Sequence, residues 1–372
     1  MEHVVVVGSG IIGAACAEAL SAAGVRVTVL DRGPLAAGTS AAGEGNVLVS
    51  DKAPGPELDL ALESLRQWPV VLDRIGRDVE WQPKGGLVVG TGVPLDAFAA
   101  GQRAAGVDAR TITPAEAFER EPGLTREVTT AVHYPQDAQL HPVLATTALL
   151  DAVRGRGGSL RPGVAARGLD ARGVVTDLGV VTCDAVVNAC GPWAGEVSRL
   201  LGAPIDVRPR RGVVLVTAPV AEPVRHKVYD ADYVGAVASG DADLRTSTVV
   251  ESTPAGTVLI GSSRERVGFD AAIRVVVLRE LARKAVRLFP GLAAVPVLRA
   301  YGGFRPYAPD HLPVIGPDPR RPGLWHATGH EGAGVGLAAA TGALLAASML
   351  GTRTAVDPAP FRVDRPGVAL CG

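Results

Sequence analysis

The sequence predicts an α/β protein in which a discontinuous Rossmann-like nucleotide-binding domain carries an inserted antiparallel-sheet domain. Three observations predict it. Residues 4–7 are an unbroken valine run, as expected of a strand covered on both faces in a parallel sheet. A glycine-rich turn, a small-residue apolar stretch over 11–23 closed by Gly24, and a second strand over 25–30 complete a β-α-β unit. Residues 205–265 alternate β-rich runs with turns, which marks a separate sheet.

The elements between follow in order. Leu58, Leu62, Leu65, Leu72 and Ile75 recur at helical spacing, and Pro69 is expected to kink that helix or divide it in two. Pro142 starts a helix running to about 156, and strands over 173–177, 180–183 and 185–189 close on Gly191 and Pro192, where the nucleotide domain resumes. Strands over 213–217 and 257–260 precede a charged amphipathic helix over 271–289. Beyond Gly302 the chain is rich in Gly, Pro and aromatics until an apolar helix that starts near Gly334. This order assigns 1–80, 140–204 and 300–372 to the nucleotide domain and 81–139 with 205–299 to a substrate domain.

Composition excludes several partners. With 37 basic and 38 acidic residues the net charge is −1, which gives no basic field for nucleic acid or anionic lipid. Cys16, Cys183, Cys190 and Cys371 form no C-x-x-C pair, so a metal site or disulfide framework is not expected and a reducing cytoplasm fits best. Glu2 leads directly into a strand without the features of a signal peptide, so no export is expected. Residues 332–352 carry no charge, but their Gly and Ala content points to a helix buried in a core rather than a membrane span.

Gly8-Ser9-Gly10-Ile11-Ile12-Gly13 fits G-x-G-x-x-G. With 46 glycines in 372 residues about 0.7 such triplets arise by chance, so context decides. Here the motif follows a strand, opens a helix and precedes Asp31-Arg32 at the end of the next strand, as a dinucleotide site requires. Gly8 turns tightly, Gly10 lets a pyrophosphate approach, Gly13 lets helix and strand pack, and the helix N-terminus faces the phosphates. Asp31 is expected to accept from ribose hydroxyls, and an acid there argues against NADP.

Motifs far from this unit bear on the choice between NAD and FAD. Gly38-Thr39-Ser40 with Gly45-Asn46, then Ala166 in Ala-Arg-Gly-Leu, and Asn188-Ala189-Cys190-Gly191-Pro192-Trp193 run in order along the chain. Gly303-Phe304-Arg305-Pro306, the segment Asp310 to Gly316, and Gly329-His330-Glu331-Gly332 follow. Together they resemble the FAD-dependent D-amino acid oxidase and glycine oxidase superfamily, with D-hydroxyproline dehydrogenase and sarcosine oxidase-like subunits similar too. The resemblance implies that Thr39, Ser40, Gly45 and Asn46 meet the pyrophosphate and flavin. It also implies that the Ala166 backbone meets the adenine, and that Ala189, Gly191, Trp193, Gly303, Arg305 and Gly329 belong to the flavin motifs.

The resemblance gives Arg305 the substrate carboxylate, which a guanidinium fork binds bidentately. Gly332, Gly334, Val335 and Gly336 open the last helix, whose positive end suits an anionic reduced flavin. His330 either packs against the flavin or is a satisfied structural histidine, with no acid–base role. Tyr229, Tyr233 and Tyr307 are candidates for closing the pocket. Glu44 stands where the family seldom has a carboxylate; it hydrogen-bonds the cofactor, selects a substrate ammonium, or is a solvated loop acid. Covalent flavin attachment in relatives uses a cysteine near the C-terminal motif or a histidine in the N-terminal loop. Residues 302–306 lack the first and 39–46 the second, so the FAD is expected to be dissociable.

The implied activity is oxidation of the C–N bond of a small amino acid such as glycine, a D-amino acid, sarcosine or D-hydroxyproline, by hydride transfer to flavin N5. Two rival readings stand beside it: a dehydrogenase subunit that passes electrons to a partner or quinone instead of oxygen, and a non-catalytic flavin-binding subunit. Either a homo-oligomer or a hetero-oligomer with an electron-transfer subunit is compatible with the sequence.

Overall fold

The computed structural model describes residues 1–231 and 243–370, so Tyr233 and Cys371 lie outside the described residues. A six-stranded sheet forms the nucleotide-binding half. Its strand order is Val314–Pro317, Leu324–Thr328, Ala185–Asn188, His3–Val7, Arg26–Asp31 and Ser159–Pro162, and every neighbouring pair is parallel except the first. The valine run explains itself at the centre of that sheet. Val4 and Val6 enter the core beneath the helices, while Val5 and Val7 enter a second core on the opposite face, so polar residues have no place in the strand.

Helices Ile11–Ala22, Pro56–Ile75, Pro142–Gly155 and Gly334–Leu350 cover the first face. Glu18, the charge in the first of them, is buried and satisfied by Arg74 at 2.6 Å and Arg156 at 3.0 Å, which ties three helices together. The segment Glu331–Leu350 is long and apolar enough to cross a membrane, but most of it is buried in this core, where its helix packs against the first two.

One expectation needs correction. Pro69 does not divide its helix, which continues from Pro56 to Ile75. The lost backbone donor costs about 3 kcal/mol or more in isolation, but Trp68 beside it is fully buried and its indole N–H donates to the carbonyls of Val335 and Gly336, both at 3.2 Å, so tertiary packing holds the helix through the proline. The expected strands Gly173–Thr176 and Gly179–Thr182 form, with Ala166–Asp170, a three-stranded antiparallel sheet over the second face of the parallel one.

The other half is an eight-stranded sheet ordered Val297–Tyr307, Arg208–Pro219, Thr257–Arg264, Arg245–Ser252, Lys227–Asp230, Gly86–Gly90, Thr130–Tyr134 and Arg110–Ile112. It is antiparallel apart from the parallel pair Lys227–Asp230 and Gly86–Gly90. Helix Val275–Leu288 packs Val277, Leu281, Ala285 and Leu288 against one face, over Val213, Leu215, Val250 and Ile260. The expected boundary at residue 300 falls inside the strand Val297–Tyr307, which pairs along its length with Arg208–Pro219, so Gly303 and Arg305 are carried by the eight-stranded sheet.

Candidate active site

A cavity of about 400 Å³ runs between the two halves, within the range of small-molecule and cofactor sites. At one end it is lined by Asp31, Arg32 and Ala166; Gly8, Gly10, Ile11 and Ile12 form its floor. Gly13 lies behind that floor. A Cβ at Gly13 would come within 1.9 Å of the Gly8 carbonyl oxygen, and one at Gly8, whose φ is +108°, within 2.4 Å of the Ala189 oxygen. The helix therefore meets the strand at a separation only glycine allows.

Asp31 is held by donors. Its Oδ2 accepts from the Ser9 amide at 2.9 Å and the Ser9 hydroxyl at 2.6 Å, and its Oδ1 from the Gly33 amide at 2.9 Å. Ser9 is thereby buried behind the carboxylate rather than lining the cavity. Over the same end, the Arg32 guanidinium sits 4.8 Å from the Trp193 ring, which stacks on Phe269 at 5.3 Å.

Midway, Thr39, Ser40, Ala189, Gly191 and Trp193 line the wall. Ser40 Oγ accepts from the Ile11 amide at 2.8 Å, and Thr39 Oγ1 donates to the Phe304 carbonyl at 2.6 Å, which pins the loop to both halves. At the far end stand Gly45, Asn46, Gly303, Arg305, His330, Gly332, Gly334 and Val335. Gly329 lies just behind, and Gly336 packs against the backbone of Asn46 and Val47.

Arg305 is half-buried and lines this end. Its Nη1 donates to the Ser263 carbonyl at 2.8 Å, and its guanidinium lies flat across Gly212, where a Cβ would meet Nη1 at 2.1 Å. The pairing of Arg210 with Arg305 and of Gly212 with Gly303 puts these residues on one face of the sheet. Arg210 is fully buried and donates to Glu331 Oε2 at 3.2 Å. Burial pulls the Arg210 guanidinium below its usual range, against the pull of Glu331.

His330 is buried among these groups. Its Nε2 lies 3.0 Å from Thr341 Oγ1, its Nδ1 has no hydrogen-bond partner among the described residues, and burial lowers its pKa to about 3. The ring is therefore neutral near pH 7.

The expectations for Tyr229 and Tyr307 are corrected. Tyr229 is fully buried and donates to Ser50 Oγ, in a network with Asp137, and does not line the cavity. Tyr307 is buried beside the guanidinium groups of Arg210 and Arg266, at 5.5 and 5.1 Å, and is also outside the lining. Tyr233 lies outside the described residues. Glu44 is not a solvated loop acid: its side chain lines the cavity and is only 8% exposed.

Several residues of this end carried no sequence signal. Arg210, Gly212, Lys227 and Glu251 are brought to it by cross-strand register, and Arg210 there meets Glu331 of the Gly329 to Gly332 motif. The adjacency of Arg210-Arg211-Gly212 was the one local hint, since a glycine beside arginines leaves room for a guanidinium.

The groups present fit FAD. The cavity is elongated, two long helices direct their N-termini at it, and the partnerless His330 Nδ1 sits at its far end. A nucleotide-binding oxidoreductase is the class that the fold and cavity define. Residues 3–348 match the family model described as "FAD dependent oxidoreductase". Glycine oxidase of Pseudomonas aeruginosa is 30% identical over 97% of this chain and 98% of its own length, and hydrogen cyanide synthase subunit HcnC of the same organism is 28% identical over 97% and 95%. In structure the chain is similar to glycine oxidase from Geobacillus kaustophilus, with a TM-score of 0.88, 26% identity, and 98% and 99% of the two chains covered. The chain belongs to the FAD-dependent oxidoreductase family, FAD is its cofactor, and within the family it groups with the amino acid oxidases and dehydrogenases.

Proposed function

We propose that this enzyme oxidises the C–N bond of a small amino acid, such as glycine, a D-amino acid, sarcosine or a D-hydroxyproline-like compound, to the imine. The observation that carries the reading is Arg305: a guanidinium laid over Gly212 at the His330 end of the cavity, where a substrate carboxylate would find a planar pair of donors. A bound FAD would supply the acceptor for a hydride leaving the substrate's α-carbon. The chain positions that carbon, excludes water with the two sheets, and provides the helix that starts at Gly334 to favour negative charge. His330, neutral by burial, contributes packing rather than proton transfer.

The FAD is dissociable in this reading. Cys190 lines the cavity, but its thiol donates to the Val7 carbonyl at 3.3 Å and burial pushes its pKa up to about 12, so no thiolate is available for a flavin thioether.

Anaerobic addition of glycine, sarcosine, D-alanine and D-proline to the holoenzyme tests the activity. Bleaching of the flavin band by at least one of them is expected; a band unchanged by all of them would contradict it. A second reading, a dehydrogenase subunit with a protein electron acceptor, is supported by the similarity to the cyanide synthase subunit. Recovery of the bleached band on admitting air supports the oxidase, and recovery only with an artificial acceptor supports the subunit.

A further inference from the structure

We propose that Glu44 receives the substrate's nitrogen, so that the cavity selects zwitterions over plain carboxylic acids. This rests on the reading of Arg305 as the carboxylate anchor.

Glu44 lies between the short helical turn Thr39–Ala42 and the strand Asn46–Val47, in the loop that lines the Arg305 end of the cavity. The loop is set against the substrate sheet: a Cβ at Gly303, two residues before Arg305, would come within 2.5 Å of Ala42 Cβ. Glu44 and Arg305 thus flank one space with opposite charges.

One oxygen of Glu44 is committed and the other is not. Oε2 accepts from Asn46 Nδ2 at 3.3 Å and lies 3.8 Å from Lys227 Nζ. Oε1 is buried with no hydrogen-bond partner among the described residues. It rests against the backbone of Gly261, where a Cβ would come within 2.3 Å of it, so the glycine keeps the carboxylate in place.

Behind Glu44 stands its support. Lys227 is buried, donates to Asn46 Oδ1, and pairs with Glu251 Oε2 at 3.0 Å. Glu251 is fully buried and its Oε1 also lacks a partner among the described residues. Two carboxylates thus share the Lys227 ammonium; the nearby Lys84 donates to the Ser252 carbonyl at 2.8 Å. A buried acceptor without a donor has lost its hydration with nothing in exchange. A ligand that reaches Arg305 at the same end of the cavity and carries a donor for the Glu44 carboxylate would relieve that cost. An amino acid does both, with its carboxylate on Arg305 and its nitrogen on Glu44. A 2-hydroxy acid of the same skeleton satisfies Arg305 alone and brings no cation to Glu44.

Paired ligands on the holoenzyme test this: glycine against glycolate, and D-alanine against D-lactate, with dissociation constants read from anaerobic changes in the flavin spectrum. The wild type is expected to prefer the amino acid by about tenfold or more, the factor that about 1.4 kcal/mol of a charge-assisted hydrogen bond gives. Glu44→Gln should reduce that preference about tenfold while leaving the 2-hydroxy acid and FAD affinities unchanged. Gly261→Ala, which displaces the carboxylate without removing it, should reduce it in part. A preference unchanged in Glu44→Gln would overturn the proposal, and altered FAD affinity with an unchanged preference would assign Glu44 to the cofactor instead. If no amino acid bleaches the flavin, the functional reading fails and this inference with it; bleaching with an unchanged preference defeats this inference alone.

Discussion

Near residues 8–13 the cavity is walled by glycine, isoleucine and backbone, with Asp31 and Arg32 beyond them, whereas near Arg305 it is walled by the charged side chains of Arg305, Glu44 and Glu331. At Gly8 and Gly13 an added atom would meet backbone, and the 1.9 Å that a Cβ at Gly13 would leave cannot be relieved by moving a side chain. The second end has flexible groups in contact with glycine, as where Arg305 crosses Gly212. Substitutions at the first end should therefore remove the cofactor, and substitutions at the second should alter substrate handling with the cofactor retained.

The largest effect is expected for Gly13→Val, which should cost more than about 4 kcal/mol of stability and yield protein without flavin, read from the ratio of flavin to protein absorbance. Arg305→Ala should lower kcat/KM by about 30- to 4,000-fold, corresponding to about 2–5 kcal/mol for a lost charge partner, with normal flavin content. Gly212→Ala pushes the Arg305 guanidinium aside without removing it, and a loss of kcat/KM on the order of tenfold is expected, about 1.4 kcal/mol.

The His330 imidazole links this end to pH. Its folded pKa is about 3 against an ordinary value of 6.5, so between those values the unfolded chain holds a proton that the folded chain does not. Stability should fall as pH drops from 6.5 towards 3, by about 1.4 kcal/mol per pH unit from this group, and the group should contribute no slope above 6.5. Denaturant melts of wild type and His330→Asn should diverge in slope only in that acidic window; parallel curves would count against burial of a neutral ring. The smallest effect is expected for Cys190→Ala, below about 1 kcal/mol. Its flavin should be released by acid precipitation as completely as that of the wild type.

The same contrast explains what the sequence made legible. The cofactor end is local: Val4 to Val7, the three glycines and Asp31 lie within one β-α-β unit, and spacing alone aligns them. Arg305 and His330 were placed through their motifs. What neither spacing nor motif supplied was facing: Tyr229 and Tyr307 turn away from the cavity, while Lys227, two residues from Tyr229, reaches the loop beside Glu44. The partners of Glu44 come from residues 227, 251 and 261, which only strand pairing brings to one place. Pro69 misled for a related reason, since the contacts that carry its helix through the proline are made by Trp68 with residues 335 and 336.

The central claim is that the two ends divide the work, and anaerobic titration of wild type and Arg305→Ala in parallel tests it most directly. Both proteins should bind FAD with the same affinity; glycine, sarcosine, D-alanine or D-proline should bleach the wild-type flavin at concentrations at least about 30-fold below those the variant requires. Equal bleaching of the two proteins, or loss of FAD from the variant, would contradict the account.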